Sequence, residues 1–159
     1  MNVLAFDPFL EATSPIFADI GCELTDDLEA GLAAADFVSV HVPLTDQTRL
    51  LFNTRTLAAI KRGAYFINTS RGGVVDERML LLALQSGHLA GAALDVRESE
   101  PPPIRNALEE LDNVILTPHI GSFTTEAQTR TFEAVCNDLD RILRGAPAEH
   151  FVNLALPGR

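Results

Sequence analysis

The sequence predicts a doubly wound α/β fold built on a parallel sheet, and three features point to it. Short β-rich apolar runs alternate with helical stretches along the chain, the order that βαβ crossovers demand. The runs are nearly continuous in apolar character, as expected of strands covered on both faces. Most of them end in a polar or turn-forming residue, at the sheet edge where open parallel sheets collect ligands.

The first run, Asn2–Phe6, ends at Asp7-Pro8. A helical stretch over Asp27–Ala34 leads to the second run, Phe37–Val42. The next helix, expected over Thr54–Arg62, has Thr54 as its N-cap, Lys61 and Arg62 at its negative C-terminal end and Gly63 as its stop. Ala64–Asn68 then reads as a strand, and Asp76–Ser86 as a helix capped by Asp76 and ended by Gly87. The strands Ala90–Val96 and Val114–Thr117 flank a helix expected over Ile104–Leu111. A long helix, Thr124–Arg144, carries Arg141 and Arg144 near its end and stops at Gly145. Residues 1–146 are therefore expected to form one domain, and residues 147–159, with Pro147 and Pro157, a connection leading away from it.

Composition narrows the function classes. The chain has 159 residues, 47% hydrophobic and 21% charged, enough for one domain with a single core and unlike a disordered tail or a fibre. Its formal charge of −10 repels phosphate backbones and anionic lipid, so no nucleic-acid or membrane partner is expected. No apolar run exceeds six residues, as in Met79–Leu84, far short of a membrane span. The N-terminus has no basic start and carries Asp7 and Pro8 within its apolar stretch, unlike a signal peptide, which makes a cytoplasmic chain the expectation. Cys22 and Cys136 lie far apart with no C-x-x-C spacing, so neither a disulfide framework nor a zinc site is expected, and both are read as buried, reduced thiols. No metal-binding motif is present, nor any G-x-S-x-G elbow, P-loop or H-E-x-x-H. His88 and His150 read as surface residues, and Glu109, Glu110, Asp138 and Asp140 as a solvated face.

The expected carboxyl ends of the strands bring a small set of groups to one edge. These are Asp7, then His41 to Pro43, then Asn68-Thr69-Ser70-Arg71-Gly72-Gly73, then Asp95, Glu98 and Glu100, and finally His119, Gly121 and Ser122. Each alone has a plain structural explanation: a turn aspartate, a surface arginine, a solvated glutamate, a histidine packed beside its strand. Together, an acid, a guanidinium, a carboxylate and an imidazole converge on one edge, whereas polar residues without a role would scatter over both.

Three blocks carry a resemblance: Ile67–Glu77 (INTSRGGVVDE), Leu89–Pro103 (LAGAALDVRESEPPP) and Asn113–Ala127 (NVILTPHIGSFTTEA). Ala5–Pro8 and Val40–Thr48 agree with it more weakly. The sequence resembles the D-isomer-specific 2-hydroxyacid dehydrogenases. The resemblance implies a Rossmann-like NAD-binding domain and a small 2-hydroxy or 2-oxo acid as substrate, in a protein that is a homodimer when complete. It also implies that Arg71 binds the substrate carboxylate, that His119 is the acid/base and that Glu100 is its catalytic partner. On the cofactor side it implies Asp7 at the adenosine ribose and Val42 and Pro43 beside the adenine. Thr69, Ser70, Asp95, His119, Gly121 and Ser122 would then lie toward the nicotinamide.

Elementary chemistry agrees with those roles. Reducing a 2-oxo acid requires a proton at the carbonyl oxygen, and an imidazolium suits that task. A carboxylate on the other ring nitrogen fixes the tautomer and favours the charged form, as in hydrolytic triads. A guanidinium matches a carboxylate with a planar fork. Asp7 accepts hydrogen bonds from ribose hydroxyls and repels a 2′-phosphate, which favours NAD over NADP.

The glycine fingerprint G-x-G-x-x-G, which should lie about 20 residues ahead of the ribose-binding acid, occurs nowhere in the sequence, and Asp7 has only six residues before it. The expectation is a domain lacking its first, central strand and its glycine-rich loop, catalytic only with an upstream part and inactive alone. A non-enzymatic nucleotide-fold module, used for binding or assembly, or an inactive remnant is the competing reading. A receiver-like signalling domain is weaker, because Lys61, the only lysine, does not follow a strand.

Overall fold

The computed structural model describes residues 1–10, 21–102 and 107–150, which fall into two compact units divided between His119 and Ile120. In the first unit the strands are β1 (Val3–Phe6), β2 (Cys22–Thr25), β3 (Phe37–Val40), β4 (Tyr65–Asn68), β5 (Gly91–Leu94) and β6 (Val114–Leu116). The helices are α1 (Leu28–Ala34), α2 (Thr54–Ala59) and α3 (Glu77–Gln85), with 3₁₀ turns at Gly72–Val74 and Ala107–Glu110. The second unit contains α4 (Thr125–Leu143).

Every strand pair is parallel, in a Rossmann-like α/β arrangement, but the strands form two sheets. β1 pairs with β2 from Val3↔Cys22 to Phe6↔Thr25. The larger sheet runs β3-β4-β5-β6, with Phe37 opposite Tyr65, Tyr65 opposite Gly91 and Ala92 opposite Val114. The break falls between β1 and β3. Among the described residues each of these two strands keeps one edge without a strand partner.

The core lies against the larger sheet. Val38, Val40, Phe66, Ala92 and Leu94 pack with Leu32 of α1, Leu57 of α2 and Leu80 and Leu84 of α3. Burial alternates along β3 and β4, so Phe37 and Tyr65 stack on the other face, their ring centroids 5.3 Å apart. Phe66, fully buried, meets the edge of Phe52 at 5.0 Å. Burying such a side chain contributes about 1.5–3 kcal/mol.

Local signals explain most helix ends. Asp27 and Asp76 cap α1 and α3 by accepting the amides of Ala30 and Met79, each at 3.0 Å. The cap of α2 is Asn53, not Thr54: Asn53 accepts the amides of Arg55 and Thr56, while Thr56 Oγ1 accepts the Asn53 amide. α2 also stops at Ala59, so Gly63 (φ +84°) serves a later turn rather than the helix end. Gly87 and Gly145, at φ +65° and +78°, follow the C-caps of α3 and α4 as expected.

Five readings change. β2 was not foreseen, because its residues, CELT, alternate polar and apolar over only four positions. In place of the helix expected over Ile104–Leu111, the described part is the 3₁₀ turn Ala107–Glu110, and Ile104 to Asn106 lie outside the described residues. Asp138 is not on a solvated face: it is buried, accepting the amides of Glu149 at 2.8 Å and His150 at 2.9 Å. Cys136 is exposed and His88 is half-buried, with Nε2 3.2 Å from the Leu57 carbonyl. Among the described residues no helix is long and apolar enough to cross a membrane.

Candidate active site

The turn after β4 is held by a residue that sequence reasoning placed at the edge without assigning it a role. Asn68 is buried, and its Oδ1 accepts both the amide and the hydroxyl of Ser70, at 3.0 and 2.9 Å. Its Nδ2 donates to the Arg71 carbonyl at 3.0 Å. This closes the turn and fixes where Arg71 leaves it. Arg71 is exposed, and its Nη1 donates to the Ser70 carbonyl at 2.7 Å, leaving the rest of its fork available. Beyond it, Gly73, Val74 and Asp76 pair with Leu50 and Phe52 through backbone hydrogen bonds of 2.9–3.0 Å.

The ends of β3 and β4 enclose a cavity of about 260 Å³ lined by His41, Val42, Pro43, Ser70 and Arg71. Four of the expected site residues therefore share one hollow. His41 Nε2 lies 2.8 Å from Ser39 Oγ, and the Thr48 hydroxyl donates to the Pro43 carbonyl, tying down the loop that carries Pro43. Thr69 is exposed on the same turn. A larger hollow of about 520 Å³, lined by Phe6, Asp26, Asp27, Leu28, Glu29 and Arg55, contains none of the expected groups.

The ends of β5 and β6 bring the other two groups together. Asp95 is buried, its amide donating to the Asn68 carbonyl at 2.9 Å and its Oδ1 accepting from the Thr117 hydroxyl. The Asp95 carbonyl accepts the His119 amide at 2.8 Å. His119 has φ +54°, a left-handed conformation uncommon for residues other than glycine and often found at functional sites. Its Nδ1 lies 2.8 Å from Glu100 Oε2. Glu100 Oε1 accepts the Arg97 amide at 2.9 Å. The hydrogen bond from His119, and next the one from the Arg97 amide, hold the Glu100 carboxyl below the usual carboxylate range. The pairing with a carboxylate directs Nδ1–H at Glu100 and leaves Nε2 as the nitrogen that can face a reactant.

Asp7 lies at the end of β1, where its Oδ1 accepts the Phe9 amide at 2.9 Å, a turn contact. Gly121 and Ser122 belong to the second unit, in the turn ahead of Thr124, which caps α4. Sequence reasoning gave Asn68 a place at the strand end but no role, and missed Glu77 and Arg97, which left no signal.

These side chains fit parts of a dinucleotide. Asp7 offers an acceptor for ribose, and the cavity beside Val42, Pro43 and Ser70 offers a partly apolar wall. A pyrophosphate requires the backbone N–H groups of a glycine turn at a helix N-terminus, and the 159 residues contain no G-x-G-x-x-G.

Residues 1–121 match the family model described as the D-isomer specific 2-hydroxyacid dehydrogenase, NAD binding domain. The chain is 42% identical over 154 residues to D-3-phosphoglycerate dehydrogenase of Methanocaldococcus jannaschii, covering 97% of this chain and 29% of that relative. It is 47% identical over 127 residues to glyoxylate reductase of Thermofilum pendens, covering 80% of this chain and 38% of that relative. Among solved structures it is similar to the holo form of Rhodotorula graminis D-mandelate dehydrogenase, with a TM-score of 0.89 and 33% identity over 98% of this chain and 45% of that one. It thus spans less than half the length of each of these proteins. The matched residues include the turn that carries Arg71 and the strand ends that carry Glu100 and His119, and the chain belongs to the D-isomer-specific 2-hydroxyacid dehydrogenase family, within its NAD-binding domain.

Proposed function

We propose that this chain is the catalytic part of an NAD-dependent oxidoreductase that interconverts a D-2-hydroxy acid and its 2-oxo acid. The observation that carries the reading is the 2.8 Å contact between His119 Nδ1 and Glu100 Oε2 at the carboxyl end of the sheet. NAD, when bound, would supply the hydride to C2 of the 2-oxo acid or accept it from C2 of the hydroxy acid. His119 gives a proton from Nε2 to the carbonyl oxygen in reduction, or takes one from the hydroxyl in oxidation. Glu100 keeps the imidazole in one tautomer and stabilises its charged form. Arg71 pairs its planar fork with the substrate carboxylate and fixes its position. Asp7 binds the adenosine ribose and favours NAD over its 2′-phosphorylated form. Thr69, Ser70 and Asp95 serve the nicotinamide side, with Gly121 and Ser122 passing close to it. The chemistry of this set and the relatives' names support the substrate class.

The test is a chimaera in which the part of the M. jannaschii relative that precedes its match to this chain is joined to these residues. It is assayed for NADH oxidation with glyoxylate, hydroxypyruvate and related 2-oxo acids. Turnover is expected, and His119→Ala should lower it by about 10²–10⁴-fold, the usual contribution of a positioned acid. Equal turnover in the substituted chimaera removes His119 from the mechanism. NAD binding with no turnover on any 2-oxo acid favours a binding module instead.

A further inference from the structure

We propose that Arg97 is the positioning residue of this site, a clamp that holds the Glu100 loop and the Arg71 turn in register. The inference rests on the roles assigned above to Arg71, Glu100 and His119. Three parts of Arg97 engage its surroundings: the guanidinium, the amide and the carbonyl. Its guanidinium, with only 7% of the side chain exposed, forms a two-point pair with Glu77 at the start of α3: Nε to Oε1 at 3.0 Å and Nη2 to Oε2 at 2.9 Å. Glu109 approaches Nη1 at 4.0 Å. Its amide donates to Glu100 Oε1, which turns Oε2 toward His119. Its carbonyl oxygen lies against the turn after Arg71, so close that a Cβ on Gly72 would stand 1.8 Å from it.

Glu77 reinforces the arrangement. Its Oε1 also accepts the Glu98 amide at 2.6 Å, so one carboxylate grips both the Arg97 head group and the next peptide of the loop. The N-terminus of α3 favours that negative charge. Buried ion pairs are weak sources of stability, and their best-attested benefit is specifying one arrangement among several. This pair joins the helix that follows Arg71 to the loop that precedes Glu100. Without the fork, the loop loses its anchor, and the carboxylate is free to leave the imidazole. Arg97 acts through Glu100 and His119 and touches no reacting atom.

The experiment reads the Glu100 carboxyl by carbon-detected NMR titration in the purified chain, alongside Arg97→Met, Arg97→Lys and His119→Gln. Among the described residues the groups that act on the Glu100 carboxyl are His119, the Arg97 amide as direct donor, and Asp95; Glu77 and Glu109 pair with the Arg97 guanidinium. Arg97→Met is expected to move the carboxyl midpoint upward toward the ordinary range. Arg97→Lys, which keeps the charge but loses the planar fork, should move it less. Exchange of the Arg97 and Glu98 amide protons should accelerate by about tenfold or more in Arg97→Met, as their acceptors drift. If His119→Gln raises the midpoint and Arg97→Met leaves it unchanged, the clamp is wrong and the Glu100–His119 pair stands. If neither substitution moves it, the pair itself is absent and the reading beneath the proposal falls too. Should Arg97→Met fail to fold, Glu77→Gln, which keeps an oxygen for the Glu98 amide and loses the ion pair, takes its place in the same titration with the same two outcomes.

Discussion

The two sheets are made of similar material and end up in different states. β1 (VLAF) is as apolar as β4 (YFIN) or β5 (GAAL), and its pairing with β2 is parallel and regular. Yet Val3 and Leu4 are 44% and 43% exposed, while Phe66 and Leu94 are 0% and 3% exposed. β4 and β5 have strand neighbours on both sides and α2 and α3 over their core face, whereas among the described residues β1 has β2 on one side, α1 against it and no strand on the other. An apolar run records readiness to be buried; its neighbours decide whether it is. The groups proposed for the chemistry follow the well-buried sheet, and Asp7 alone follows the exposed one.

The largest effect should separate the two regions outright. Phe66→Ala is expected to cost about 3–5 kcal/mol, as large-to-small changes at fully buried aromatics do, and Leu4→Ala less than about 1 kcal/mol. Urea unfolding of the two variants checks this, and equal losses would show that β1 is buried as deeply as β4 in solution.

Two glycines sharpen the contrast at the next scale. Gly72→Ala forces a Cβ onto a backbone carbonyl and should cost about 2–3 kcal/mol, since neither loop can retreat without releasing the other. Gly21→Ala, with φ +64° and open space around it, pays only for its backbone conformation, about 1 kcal/mol. The order of these two losses in the same denaturation assay is the prediction.

Helix caps provide a smaller probe. Asp76→Ala, at the start of α3, should lower global stability by about 1 kcal/mol. Asp27→Ala removes an equivalent bond from α1, next to the exposed pair, and should register chiefly as faster amide exchange within α1. A loss of global stability from Asp27→Ala matching that from Asp76→Ala would mean that both regions unfold as one.

The smallest effect concerns acid. Because the folded Glu100 carboxyl lies below its ordinary value of 4.5, its contribution to stability is complete above that value and is lost as pH falls through the lowered one. His119→Gln removes the first cause of that lowering, so melting temperature should fall less steeply with acid in the variant. Identical acid slopes would count against the contact in solution.

The sequence was most informative where one residue type has one physical use. Asp76, Gly87 and Gly145 marked helix ends because a short acceptor and a left-handed glycine have few alternatives, and the strand ends could be read because apolar runs stop there. Asn53 was passed over because Thr54 beside it is an equally good cap by type. β2 escaped because half its residues are polar and its partner, β1, is near in space but not in sequence. Arg97 and Asp138 were hidden for a different reason: an arginine or aspartate is read as solvated until its partner is known. Their partners are Glu77, twenty residues away, and two amides more than ten residues further along the chain.

The contact between Gly72 and the Arg97 carbonyl also bears on how such a site can vary. A Cβ at position 72 meets the backbone of positions 97 and 98 first, so no replacement of the side chain at 97 makes room for a larger residue at 72. A library randomised at both positions should therefore recover glycine at 72 beside every tolerated residue at 97.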